Sequence, residues 1–239
     1  DLHLSLRRQR QMCIRDSTLR IATGPVRGGY FAVGGVICDL LNASQARHRI
    51  ECLVRPTSGS GENIAHVLTG SAEMGLVQSD WQSFAVTSAE QQTSSNLNFD
   101  RLRSVAALYP LATHILAREA LGAQAVSDLR GRRLGLTAPG TGQRQLADVI
   151  LAQAGVAGDA LNISVYPTDT DMIRALCAQE VDAIVLVGPA PMQPVEVALS
   201  RCQAQLLPIA QEVIDTLVGE REALATFTLD SRAYVGQRR

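Results

Sequence analysis

An α/β protein of two lobes, with mostly parallel sheets and a cleft between the lobes, is what this sequence predicts. Three observations carry that prediction. Extended apolar segments alternate with helically spaced ones along most of the chain, the pattern of repeated βα units. One device, a strand running into a loop of small residues that opens a helix, occurs once in each half. Between the halves lies a long extended apolar stretch, 102–116, interrupted by Pro110, which has the form of a hinge segment passing from one unit to another. The 239 residues are enough for one large or two small domains.

The first strand is expected over Thr18 to Thr23. It enters a glycine-rich turn, Gly24-Pro25-Val26-Arg27-Gly28-Gly29-Tyr30, that lacks the G-x-G-x-x-G spacing of a dinucleotide loop and has a donor removed at Pro25. A helix comes next, with Phe31, Val33, Val36, Ile37, Leu40 and Leu41 at helical spacing. Tyr30 either reaches a solute with its hydroxyl or lays its ring on the apolar face of that helix.

Ile50 to Arg55 reads as the second strand, and Thr57-Ser58-Gly59-Ser60-Gly61-Glu62-Asn63 as the loop that opens the next helix. A helix beginning near Ser60 aims unpaired N–H groups and its positive dipole end toward that loop, a setting that suits a carboxylate. A serine-capped turn with no ligand has the same sequence. Gly70 is placed to end the helix. Glu73 to Gln78 reads as a third strand whose carboxyl end carries Gln78, Ser79 and Asp80 before Trp81, the only tryptophan. Ligands of open α/β sheets bind beyond strand carboxyl ends, so Gln78 and Asp80 are candidates, although Asp80 also suits a helix N-cap. Residues 87–98 are polar and read as an exposed excursion. His114, among apolar neighbours, reads as a core residue.

The second half opens with a capped turn, Val126 to Gly131, and a strand over Arg132 to Leu136. The second small-residue loop is Thr137-Ala138-Pro139-Gly140-Thr141-Gly142-Gln143-Arg144, before a helix over Leu146 to Leu151. An arginine in the first turn of a helix opposes the dipole, and its planar fork can hold a carboxylate, so Arg144 is a candidate ligand residue. Strands are expected over Ile163 to Tyr166, Val181 to Val187 and Gln205 to Ile209. Helices are expected over Asp169 to Ala178, Val195 to Leu199 and Ile214 to Val218.

Composition narrows the function. The net charge of −1 gives no footprint for nucleic acid. No run approaches the length of a membrane span. All 22 basic residues are arginine, which excludes P-loop and Schiff-base lysine chemistry. The five cysteines, Cys13, Cys38, Cys52, Cys177 and Cys202, make no C-x-x-C pair, and the four histidines show no ligand spacing, so no metal site is expected. Cys38 with Cys52, and Cys177 with Cys202, join neighbouring elements and read as two local disulfides of an oxidising compartment. Four buried free thiols are the alternative. Residues 1–17 do not match the rest of the chain; they resemble translated adapter read-through and are expected to be a non-native, disordered or loosely packed leader.

Five segments together resemble one family. IATGPVRGGYFAVGGVICDLLN at 21–42, RPTSGSGENIAHVLTG at 55–70, SAEMGLVQSDWQ at 71–82, DLRGRRLGLTAPGTGQR at 128–144 and ALCAQEVDAIVLVGPAP at 175–191 are similar, in order and spacing, to the TAXI-type solute-binding proteins. These are extracytoplasmic receptors of TRAP transporters. The resemblance covers roughly residues 18–235 and implies a periplasmic-binding-protein-like fold, with lobe 1 over 18–113 and lobe 2 over 114–239. It implies a monomeric periplasmic receptor, not an enzyme and without a cofactor. The receptor would close over a small organic acid such as glutamate or 2-oxoglutarate and deliver it to a membrane permease. Implied ligand contacts are Tyr30, Ser58, Gly59, Ser60, Asn63, Gln78, Asp80, Gly140, Thr141, Gly142, Gln143 and Arg144. A cysteine-bearing subset of the family supports the pairs Cys38–Cys52 and Cys177–Cys202. Family members carry an export signal and extend further at the carboxyl end, so the chain is expected to be a fragment of a longer receptor.

Two rivals differ in class. A serine hydrolase would need a G-x-S-x-G elbow, but Ser58 stands where its first glycine belongs, and no Ser–His–Asp order is evident. A cytoplasmic effector-binding domain shares the two-lobed plan, and free thiols would favour it.

Overall fold

The computed structural model describes residues 17–83, 99–156, 162–230 and 232–234. The polar excursion over 87–98, Cys13 and the rest of the expected leader over 1–17 lie outside these residues, except for Ser17.

The first sheet is built from β1 (Ser17–Ala22), β2 (Ile50–Arg55) and β3 (Met74–Gly75), in the order β2-β1-β3 and wholly parallel. Register runs from Ser17 opposite Ile50 to Ala22 opposite Arg55. Helix α1 (Gly29–Ala43) connects β1 to β2, and α2 (Ser60–Leu68) connects β2 to β3. The third strand is shorter than expected: after Gly75 the chain leaves the ladder, and residues 79–83 are already helical. Asp80 therefore lies in the first turn of that helix rather than at its N-cap, with Oδ1 accepting the Trp81 amide at 2.9 Å. The core of this half is small: Ile21, Cys38 and Cys52 are buried, with Leu19, Ile37, Leu41, Val54 and Leu76 packed around them.

The second sheet has five strands in the order β6-β5-β7-β4-β8. They are β4 (Ala112–Arg118), β5 (Arg133–Leu136), β6 (Asn162–Val165), β7 (Ala183–Gly188) and β8 (Ala204–Leu206). Strands β6, β5 and β7 are parallel, while β4 runs antiparallel to both β7 and β8. The apolar stretch expected as one hinge strand is thus divided. Residues 102–111 are irregular, and the strand proper belongs entirely to the second sheet.

Helices α3 (Gly142–Gln153), α4 (Asp169–Cys177), α5 (Gln193–Arg201) and α6 (Gln211–Glu220) cover both faces of this sheet. Covered faces explain why β7 reads as a continuous apolar run. Its side chains alternate between two cores, Ala183 and Val185 in one, Ile184 and Leu186 in the other. Helix α3 begins at Gly142, earlier than expected, so Gly142, Gln143 and Arg144 form its first turn.

Disulfides join Cys38 in α1 to Cys52 in β2 and Cys177 at the end of α4 to Cys202 after α5, with Cα–Cα separations of 4.9 and 4.5 Å. His114 is buried, as expected of a core residue: its Nε2 lies 2.8 Å from the Tyr234 hydroxyl, which accepts the Met192 amide at 2.9 Å. At the amino ends of the second-sheet strands, Asp182 accepts from Arg133 N, Nε and Nη2 at 3.0, 3.1 and 2.7 Å and from Arg118 Nη2 at 2.9 Å. Those bonds, chiefly from Arg133, hold its carboxyl far below the usual range.

Candidate functional site

The two small-residue loops meet. A Cβ built on Gly142 would fall 1.6 Å from Gln78 Oε1 and 3.0 Å from Ser60 Oγ. One on Gly61 would fall 2.8 Å from the Trp81 ring and 3.2 Å from the Gly140 carbonyl oxygen, and one on Gly59 3.7 Å from Thr141 Cα. A side chain at Gly61 would meet the Trp81 ring of its own half and the Gly140 carbonyl of the other, and one at Gly142 would have to displace the Gln78 side chain. Gly59 and Gly140 need it for conformation, with φ of 130° and 86°.

Ser60 is buried at the centre of this contact. Its Oγ accepts the Gln78 amide at 3.3 Å, and it hydrogen-bonds Tyr30. Burial pushes the Tyr30 phenol well above its usual range, Tyr109 and Asp80 add to the rise, and the bond to Ser60 opposes it. Burial likewise raises the Asp80 carboxyl, against the pull of the Trp81 amide and of Arg221. Tyr30, Ser60, Asp80 and Tyr109 therefore form one polar cluster beside the loop contact. Residues 221–224 approach it from the second half, where the Ala223 carbonyl accepts from the Ser79 hydroxyl at 3.1 Å.

Other expected residues have different occupations. Asn63 is fully buried and its amide is spent inside the first half: Nδ2 donates to the Thr23 carbonyl and, at 2.6 Å, to that of Leu76, while Oδ1 accepts the Thr57 hydroxyl at 2.5 Å. It ties the ends of β1 and β3 to the loop and has no donor left for a solute. Ser58 is exposed and turns outward, its N and Oγ both on the Glu62 carboxylate at 2.8 and 2.7 Å. Thr141 caps α3, its Oγ1 accepting the Arg144 amide at 3.1 Å. The Arg144 guanidinium does not point an open fork at the other half. Its Nε donates to both Asp148 oxygens at 2.8 and 3.0 Å and its Nη1 to the Thr137 carbonyl at 3.3 Å. An acid one helical turn later satisfies it locally, an i,i+4 pair that a reading of the loop alone overlooks.

Gln143 donates from Nε2 to the Val185 carbonyl at 2.9 Å and to Asp169 Oδ1 at 3.4 Å. Asp169, the first residue of α4, is absent from the expected set. Burial raises its carboxyl, with only the Gln143 amide lowering it. The rule that selects Gln78 and Asp80, position just beyond a strand's carboxyl end, also finds it after β6. Among the described residues no group of three or more His, Cys, Asp or Glu could hold a metal ion, and no helix is long and apolar enough to cross a membrane.

Residues 21–239 match the model of the NMT1-like family. Among solved structures, the chain is similar to a protein from Bordetella bronchiseptica RB50, with 17% identity, a TM-score of 0.60, and coverage of 85% of this chain and 60% of that one. The alkanesulfonate-binding protein SsuA from Xanthomonas axonopodis pv. citri gives 16% identity, a TM-score of 0.51, and coverage of 82% and 61%. An ancestral arginine-binding protein gives 14% identity, a TM-score of 0.52, and coverage of 80% and 78%. The chain thus spans about three fifths of the length of the first two. At these identities the likeness shows the fold, a two-lobed periplasmic-binding-protein-like α/β architecture.

Proposed function

The chain belongs to the NMT1-like family, and from that premise we propose that it is a periplasmic solute receptor of the TAXI type. It would bind a small organic acid in the interlobe cleft and deliver it to the membrane subunits of a TRAP transporter. The observation that carries this reading is the meeting of the Ser60 and Gly142 loops. Two helix N-termini and a buried polar cluster converge on one place from two separately cored halves, the arrangement a closing receptor needs. The five motifs at 21–42, 55–70, 71–82, 128–144 and 175–191 support the subfamily. The two disulfides support an oxidising compartment, and the binding proteins among the similar structures support a receptor over an enzyme.

Within this reading, Ser60, Gly61 and Gly142 present backbone amides to the acid, and Tyr30, Gln78, Asp80 and Gln143 surround it. Arg144 serves the site by holding the Thr137 carbonyl and Asp148 beside the loop. A calorimetric screen of mono- and dicarboxylates on the chain tests the proposal. At least one acid should bind with heat, and Gly142→Val, which places a branched side chain in the loop contact, should reduce its affinity at least ten-fold. No binding by any acid would overturn the reading.

A further inference from the structure

We propose that Gln78 and Ser79 form a clasp that holds the two halves together in the absence of solute, and that the Gln78 side chain has to leave the loop contact before a solute enters it. The clasp follows from contacts between the halves. The displacement rests on the receptor reading above and adds a self-inhibiting step to it. Two successive residues of the first half reach the second half at two separate places. A Cβ on Gly142 would overlap the Gln78 carboxamide and lie 3.0 Å from Ser60 Oγ, so that carboxamide occupies the space between the two loops. Next to it, the Ser79 hydroxyl donates to the Ala223 carbonyl at 3.1 Å.

Both sides of the clasp are fixed from behind. After β3 the Leu76 amide still donates to the Ala22 carbonyl at 2.9 Å, and the Gln78 amide then donates to Oγ of the buried Ser60 at 3.3 Å. On the other side, the Leu224 amide donates to the Arg221 carbonyl at 3.0 Å, and Leu224 packs against the core of the second half, which steadies the Ala223 carbonyl between them. Among the described residues each hydrophobic core cluster is confined to one half. Two halves with separate cores, touching through a few polar and steric contacts, exchange between closed and open arrangements at small cost, so the loss of either contact shifts that balance. The bond that anchors Gln78 is made by its backbone amide, so the side chain swings aside without breaking it. A solute that takes its place gains both loops, and until then the plug lowers the apparent affinity by the fraction of molecules that it keeps shut.

Trp81, the one tryptophan, reports on this contact, because a Cβ on Gly61 would meet both its ring and the Gly140 carbonyl oxygen of the other half. On the full chain without solute, Gln78→Ala and Ser79→Ala should each make Trp81 more accessible to acrylamide quenching and enlarge the radius of gyration measured by X-ray scattering. Ser79 is exposed, so its variant tests the clasp even where Gln78→Ala does not fold. Variants that match the parent in both quantities overturn the clasp. Calorimetry with glutamate, 2-oxoglutarate, alanine and pyruvate then tests the displacement. An acid that the parent binds should bind Gln78→Ala about three-fold or more tightly, the gain expected when a competing shut state is removed. Equal or weaker binding makes Gln78 an ordinary solute contact, which overturns the displacement and leaves the receptor reading standing. Silence of parent and variant toward every acid overturns the receptor reading and the displacement together, while the quenching result decides the clasp by itself.

Discussion

The two halves use one local unit, strand, small-residue loop, helix, and hold it in opposite ways. In the second half two helix starts are closed by threonines, Thr141 at α3 and Thr168 at α4, each accepting a backbone amide at its hydroxyl, while α5 and α6 start at Met192 and Ala210 without a side-chain cap. In the first half α1 and α2 start at Gly28 and Gly59, with no side-chain cap. A capping threonine satisfies one of the orphan donors of a helix start, and a glycine leaves them open. The first half keeps its shape by another route, the fully buried Asn63, which reaches back from the first turn of α2 to bind the ends of β1 and β3. Similar sequence signals thus give a loop with a threonine cap in one half and loops without a side-chain cap in the other.

The cores differ as well, and the largest expected effect tests that. Leu186 is fully buried where β7 meets α4 and α5, in a cluster that also holds Met172, Leu176 and Val195. Leu186→Ala should cost about 2–5 kcal/mol, read by chemical denaturation, because a close-packed site cannot collapse around the cavity. A loss below about 1 kcal/mol would mean that packing on this face is not what holds the second half. Among the described residues the core cluster of the first half holds three buried residues, Ile21, Cys38 and Cys52, two of them joined by a disulfide. Its integrity should therefore depend more on polar contacts.

Asn63→Ala sharpens that contrast. It removes three hydrogen bonds and leaves the Thr23 and Leu76 carbonyls without their side-chain donor in a buried place, a cost of about 1–3 kcal/mol. Because those carbonyls fix the strand ends beneath the loop, solute affinity should fall with stability. A variant that melts like the parent would remove Asn63 from the frame of the site.

Much of this architecture is legible in the sequence. The strand–loop–helix units over 50–68 and 133–153 follow from period and glycine placement, and both disulfides join the neighbours that βα connectivity brings together. The antiparallel direction of β4 is not legible, because an apolar run carries no mark of strand direction. The site is harder to read. Asn63 resembles a ligand contact because an amide in a loop resembles a donor, and only the fold shows Thr23 and Leu76 converging on it. Arg144 reads as an open fork from the loop motif alone, because its partner, Asp148, lies outside that motif, one turn along the helix. Asp169 escapes notice although its position obeys the rule applied to Asp80.

The smallest effect concerns the polar pair that anchors the end of the described chain. Tyr234 and His114 are both buried, their rings nearly perpendicular with centroids 5.6 Å apart. The Tyr234 hydroxyl accepts the Met192 amide and so donates its proton to His114 Nε2, which requires a neutral imidazole. Burial lowers the affinity of His114 for a proton, more than the carbonyls of Ala112 and Leu186 raise it. A histidine whose folded value is lowered favours the neutral state of the fold. Its contribution is complete above the unfolded value of about 6.5 and is lost as pH falls through the folded one. Tyr234→Phe should cost about 0.5–1.5 kcal/mol near pH 8, the net worth of one hydrogen bond. That cost should shrink as the pH is lowered, because protonation of His114 has by then broken the same bond in the parent. Denaturation curves of parent and variant from about pH 8 down to well below the ordinary histidine value of about 6.5 measure both quantities. A cost that stays constant across the range would show that the imidazole does not need its neutral form, and that the second half is anchored here by ring packing alone.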